Sequence, residues 1–338
     1  MELSLALNTP GFVNKLREFL RRNSKSLNPS SKKEVLEILS LPHRYGNFLK
    51  DFLLDPKYVR TDNDIHQAVR DWCSNPNSAI VKYGHISEWD VSEVTNMTEL
   101  FMNCSFFNDD ISNWDVSNVT NMTRMFCYTT IFNHPIGNWN VSNVTNMEHM
   151  FLHAAFFDQP INTWNVSHVT NMKQMFDGAG SFNQPIDTWN VFNVLNMKLM
   201  FFNASRFNQP IGNWDVVNVI DMSNMFLNAT SFNQSIGRWD VSNVLNMEYM
   251  FCRAENFNHP IDNWDVSKVT NIECMFDDCN IEEIKKPPSM RLAPLHRDDH
   301  NLRNTVFDNV SDVDRVCDAT EHMTTTSTTN CTDAVKFP

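Results

Sequence analysis

Tryptophan stands at positions 89, 114, 139, 164, 189, 214, 239 and 264, each 25 residues after the last, with no insertion or deletion. Around each Trp the same phrase returns: Trp-Asp/Asn-Val-Ser-Asn-Val-Thr-Asn-Met-x-x-Met-Phe, then x-x-Ala/Cys-x-x-Phe-Asn-Gln/His-Pro-Ile. A fixed period of roughly 20–50 residues marks a chain built by stacking units, none of which buries its apolar face alone. Such a chain grows by adding coils rather than by enlarging one core. The expected fold class is therefore an α/β repeat solenoid of eight coils.

With Trp numbered as position 0, the apolar positions divide into two groups. Position 8 is Met in seven copies and Ile272 in the last. Position 11 is Leu100 or Met, position 12 is always Phe (Phe101 to Phe276), and position 15 is Ala or Cys except at Thr129. These are i, i+3, i+4 and i+7, the spacing of one helical face, and Thr at position 6 is placed to cap that helix. Ile at position 22, Trp at 0 and Val at 2 and 5 suit extended chain, and Pro135, Pro160, Pro185, Pro210 and Pro260 disfavour helix before them. The expectation is one short helix and one short parallel strand per coil, the latter between Ile136 and Val141 in one copy. Strands stacked at roughly 4.7–4.9 Å would make a rod of about 40 Å. The repeat core comprises Trp89, Trp114, Trp139, Trp164, Trp189, Trp214, Trp239 and Trp264 with Phe101, Phe126, Phe151 and Phe176 and their later equivalents.

Two polar columns accompany this core. Position 7 is Asn, with Asp221 the exception, and position 19 is Asn, with Asp158 the exception. Stacked Asn side chains are suited to bond one another and turn backbone, so both columns are read as structural. Positions 9, 10, 13 and 14 differ from copy to copy. A binding surface is therefore sought there, with Arg124, His149, Gln174, Leu199, Asn224 and Tyr249 as candidates at position 10.

The flanks read differently. Residues 1–85 form a helical N-terminal module, 86–280 the repeats, and 281–338 a largely disordered tail with Thr324 to Thr329 as a biased run. In the module, residues 11–24 place Phe12, Leu16, Phe19 and Leu20 on one helical face, with Lys15, Arg17, Arg21 and Arg22 largely elsewhere. Further helices are expected over 32–41, 47–54 and about 63–73, the last from Ile65, Val69 and Trp72. The module would cover the open end of the first coil, since terminal repeats need a cap. It is also a candidate recruiting domain of an F-box-like adaptor, on the signal of Leu41-Pro42 before a helical stretch.

Charge narrows the partners. The formal net charge is −13; residues 1–60 carry eleven Lys/Arg and six Asp/Glu, or +5, leaving −18 for the remainder. An acidic body does not wrap nucleic acid, which needs cations near phosphates. No stretch approaches the roughly 18 apolar residues of a membrane span. The opening Met-Glu-Leu-Ser-Leu-Ala-Leu has no basic start, so no signal peptide is expected and the chain is placed inside a cell. The eight cysteines, with no Cys-x-x-Cys, are then read as reduced thiols. His149 and His153 are i, i+4, but Met-Phe-Leu between them lacks the Glu of a zincin helix. No nucleophile–base constellation and no Gly-rich phosphate loop occurs; the expectation is no enzyme, cofactor or metal.

The segment Trp114 to Phe126 followed by Phe132 to Ile136 resembles the BspA-like leucine-rich repeat family, in its 25-residue branch also known as a domain of unknown function in mycoplasma lipoproteins. Ile80 to Val91, with Tyr83-Gly84-His85-Ile86-Ser87-Glu88, resembles the lead-in to the first repeat of that family. The resemblance covers about 200 residues. It implies a right-handed, leucine-rich-repeat-like solenoid, and adhesion or protein binding as the role; it carries no catalytic residue. The expected function is a monomeric, non-enzymatic scaffold for an unknown protein partner, or an adaptor whose module recruits a second protein.

Overall fold

Stacking is visible first in the rings. In the computed structural model, which describes residues 58–291, position-12 phenylalanines from Phe101 to Phe276 lie one over the next with centroids 5.4–5.9 Å apart. The position-18 column, Phe107 to Phe257, repeats at 5.8–6.2 Å. Within a repeat the two columns touch, as Phe151 and Phe157 do at 4.1 Å. The Trp, Phe, Met, Val and Ile positions form one continuous buried cluster. Burying each such side chain contributes about 1.5–3 kcal/mol, and stacked aromatic pairs add about 0.5–1.5 kcal/mol.

The helix expected at positions 8–15 is not there: this segment is turns in every repeat. Its hydrogen bonds show why. Donors at positions 8, 10, 12 and 14 reach into the next repeat: Met147 N to Asn171 O, His149 N to Lys173 O, Phe151 N to Met175 O and His153 N to Asp177 O, at 2.7–3.1 Å. Donors at 11, 13 and 15 turn back three residues, as Met150 N does to Met147 O. A helix is about 10–12 Å across with its side chains, so repeats stacked at the ring spacing above leave no room for one. Positions 10 and 14 take left-handed backbone throughout, with φ of 49–63° at the non-glycine residues and 65° at Gly178. Such residues cost about 1–3 kcal/mol each unless the surroundings hold them; here each of those N–H groups before the last repeat is fixed on the neighbouring repeat.

The strand expected between Ile136 and Val141 is also absent: the segment is a turn at 137–138 flanked by irregular chain. Parallel bridging runs instead along the position-7 column, from Asn96 through Asn121, Asn146 and on to Asn271. The Ile carbonyl at position 22 accepts two bonds: Ile111 O takes Trp114 N at 3.1 Å and the indole Nε1 of Trp139 at 3.2 Å. Thr at position 6 caps nothing. Thr145 N and Oγ1 both donate to Thr120 O, one repeat back.

The two Asn columns do different jobs. At position 7 the side-chain oxygen accepts the N–H two residues on, as in Glu148 N to Asn146 Oδ1 at 3.0 Å. At position 19 it crosses repeats: Asp158 N donates to Asn133 Oδ1, Asn183 N to Asp158 Oδ1 and Asn208 N to Asn183 Oδ1, each at 2.9 Å. Both uses need only an acceptor oxygen, so Asp221 and Asp158 serve as well as Asn.

Regular elements lie at the N-terminal end of the described residues. Strand β1 (Val59–Thr61) pairs in parallel with β2 (Asp90–Glu93). Between them are helices α1 (Ile65–Ser74), which buries Ile65, Val69 and Trp72, and α2 (Pro76–Tyr83), whose N-cap Asn75 accepts from Ser78 N. Asp62 stands where a preceding repeat would be. Its carboxylate takes Thr95 N, Thr95 Oγ1 and Asn96 N at 2.6–3.1 Å. Trp89 Nε1, lacking an earlier Ile, donates to Gly84 O. Cys73 at the end of α1 is disulfide-bonded to Cys104 of the first repeat, with Cα atoms 5.9 Å apart, within the ordinary span of a disulfide. The reading of every cysteine as a reduced thiol is thus corrected for this pair: α1 folds back onto the first repeat and brings together thiols 31 residues apart.

After the last repeat come two 3-10 turns, Glu283–Lys285 and Pro288–Met290. Lys286 Nζ sits 4.9 Å over the Phe276 ring. The helices expected over 11–24, 32–41 and 47–54, the recruiting reading of that module, and the tail beyond 291 lie outside the described residues.

Candidate functional site: the variable rows of the stack

The position-10 row, where binding residues were sought, is not an open surface. His149, Gln174 and Leu199 are buried, and Arg124, Asn224 and Tyr249 are half-buried. Left-handed backbone at each lets side chains of successive repeats cover one another. Arg124 Nη1 reaches back to Glu99 Oε1 at 3.0 Å, and His149 Nε2 lies 2.8 Å from Gln174 Oε1 in the next repeat. Gln174 Nε2 in turn donates to Asp177 Oδ2 at 3.0 Å. Beside this row, Glu148 accepts from Lys173 Nζ and Asn171 Nδ2 at 3.2 and 3.0 Å. Burial pushes the Cys252 thiol up to about 12 and the Cys274 thiol up to about 11, the opposite of an activated nucleophile.

Two other rows do face solvent, and both carry apolar side chains. Position 17 holds Phe106, Ile131 and Phe156 in the first three repeats, with Phe106 90% and Phe156 58% exposed; the next two copies hold Ser181 and Arg206. At position 6, where other repeats have Thr, the fifth to seventh carry Leu195, Ile220 and Leu245, 44–47% exposed. Phe192, where other copies mostly have Ser, is exposed too. The backbone under this second row is unchanged: Ile220 N still donates to Leu195 O as Thr145 N does to Thr120 O. The backbone ladder does not require an apolar side chain at position 6. The sequence signal of Leu195, Ile220 and Leu245 was an apolar residue in a column that is otherwise Thr.

Among the described residues no group of three His, Cys, Asp or Glu side chains is disposed to hold a metal ion. The depression between α1 and α2 is lined by Asp71, Ser74, Asn75, Ser78, Ala79 and Lys82. Its carboxylate is already engaged by Tyr83 Oη, Gln67 Nε2 and Lys82 Nζ. Tyr83 and Gln67 chiefly hold Asp71 below the usual carboxylate range. No helix among the described residues is long and apolar enough to cross a membrane.

The 25-residue stack is matched by the model of the family described as "Mycoplasma protein of unknown function, DUF285", over residues 73–187, 135–229 and 170–286. These overlapping matches together span more than half of the chain. The chain belongs to this family. No curated protein and no solved structure matches it. The family boundaries take in the end of α1, all of α2 and every repeat, and stop just before the last 3-10 turn.

Proposed function

We propose that this member of the family is a non-enzymatic scaffold that binds another protein through the solvent-facing rows of a leucine-rich-repeat-like solenoid of the BspA type. The observation that carries the reading is the placement of apolar side chains. The repeated Trp, Phe, Met and Val side chains are buried in the stack, whereas Phe106, Ile131, Phe156, Phe192, Leu195, Ile220 and Leu245 keep 37–90% of their surface exposed to water. Exposed apolar side chains grouped in rows mark interaction surfaces, and aromatic anchors carry much of the energy at such surfaces. The acidic body favours a partner with basic groups around its apolar contact.

The test uses the full chain. Leu195→Thr, Ile220→Thr and Leu245→Thr together restore the residue that other repeats carry, so the stack keeps its ladder. Phe106→Ser with Phe156→Ser removes the other row. The reading expects one of these variants to lose a protein captured by the unaltered chain while melting as before. Equal capture of the same protein by both variants would overturn it.

A further inference from the structure

His149 occupies position 10 of the third repeat, 7% exposed, and its two ring nitrogens are in unlike surroundings. Nε2 faces Gln174 Oε1 at 2.8 Å. Asp177 as a carboxylate accepts only, so Gln174 turns its amide nitrogen to Asp177 Oδ2 and its oxygen to His149. His149 must therefore donate through Nε2, and in the neutral ring Nδ1 carries a lone pair. That Nδ1 is buried without a hydrogen-bond partner, and what it meets is another acceptor, Glu148 Oε1, at 3.4 Å. Glu148 is meanwhile held by Lys173 and Asn171. The remaining charges near the ring are Arg124 from the preceding repeat, itself bonded to Glu99, and Asp177 behind Gln174. His153, four residues on, stacks on Tyr128 and donates its N–H to Asp177 O across the same junction.

We propose that His149 is a proton-operated joint between the third and fourth repeats. A proton taken from solvent on Nδ1 turns the acceptor–acceptor contact into an imidazolium–carboxylate bond to Glu148. It draws Glu148 from Lys173, places a charge in a dry row and loosens the ladder there. Lys173 is then released at the surface. Position 10 in the neighbouring repeats is Arg124, Gln174, Leu199 and Asn224, none of which titrates in this range, so within this row the response belongs to His149. Histidine in such a setting is a common means of biasing a two-state element by pH.

The sign follows from the surroundings. Burial chiefly, with Lys173 and Arg124 adding to it, pulls His149 below its ordinary range against the opposing pull of Gln174 and Glu148. The closed ladder then binds fewer protons than the opened one. Stability of the joint is complete above the ordinary histidine range and is lost as pH falls from there toward the depressed value. One linked proton changes the opening equilibrium by up to about tenfold per pH unit in that window.

Amide exchange of the full chain between pH 7.5 and 5.5 reads this directly. The measure is the rate at His149 N and Phe151 N, which bond Lys173 O and Met175 O of the fourth repeat, relative to Tyr249 N, which bonds Glu273 O at the equivalent position of a distant repeat. The ratio removes the intrinsic pH dependence of exchange. It should rise by up to about tenfold per pH unit below about 6.5 in the unaltered chain and stay flat in His149→Gln. Should that variant not fold, Glu148→Gln serves: without its counter-charge the rise should continue to lower pH. A flat ratio in the unaltered chain, an equal rise in His149→Gln, or an unshifted window in Glu148→Gln would overturn the proposal.

Discussion

At the scale of single residues, the polar columns show what an acceptor in the right place contributes. Asn183 Oδ1 takes Asn208 N and also Gln209 Nε2, at 2.9 and 3.1 Å. Asn183→Leu leaves both donors without that acceptor and should cost about 1–3 kcal/mol, read from denaturant unfolding. Asn183→Asp should cost far less, because Asp158 already performs the same task one repeat earlier; equal losses for the two would show that the column is not an acceptor ladder. Gly178 offers a second test. It takes φ of 65°, and a Cβ there would lie 2.4 Å from His153 Nδ1. Gly178→Ala should therefore destabilise by about 1–3 kcal/mol, part of it recovered with His153→Ala. The columns could be read in the sequence as structural, but their two mechanisms could not, since identical spacing serves a bond within a turn and a bond between repeats.

At the scale of elements, the cap is where the chain departs most from its own pattern. Asp62 replaces the carbonyl that each later repeat receives from its predecessor. Burial raises its carboxyl, and the bonds from Thr95 and Asn96 outweigh that effect and hold it below its usual value. That support is present above the ordinary carboxylate range and is lost as pH falls through the depressed value. Asp62→Asn should keep part of the bonding but abolish this acid dependence, seen in melting curves between about pH 2 and 5. The disulfide joins the same two elements. Cys73→Ser should lower stability by about 2–4 kcal/mol, and exchange should quicken first in α1. A uniform change along all repeats would contradict a local staple. Helix α1 was legible from Ile65, Val69 and Trp72. Strand β1 was not, because Val59–Thr61 is three residues long and pairs with residues 31 and 32 positions away, Val59 with Asp90 and Thr61 with Glu93.

At the scale of the whole molecule, a 25-residue period made stacking legible and left its geometry open. The spacing 8, 11, 12, 15 fits a helical face, and equally a ribbon whose alternate N–H groups leave for the next repeat. What decides between them is distance between neighbours, and composition does not record distance. The same ambiguity misplaced the candidate surface: position 10 varies as a solvated face would, yet its backbone folds the side chains over one another. Trp164 bonds Ile136 O and stacks on Trp189 at 6.5 Å. Trp164→Ala should cost about 3–5 kcal/mol and loosen the third and fourth repeats first, since each repeat touches mainly its neighbours.

The ladder itself is tested most directly by amide exchange across one repeat. Met147, His149, Phe151 and His153 all donate to the fourth repeat, so all four N–H groups should be slow. Were positions 8–15 a helix, Met147 and His149 would lie in its first turn without acceptors. Fast exchange there beside slow exchange at Phe151 to Ala154 would contradict the stacked ribbon.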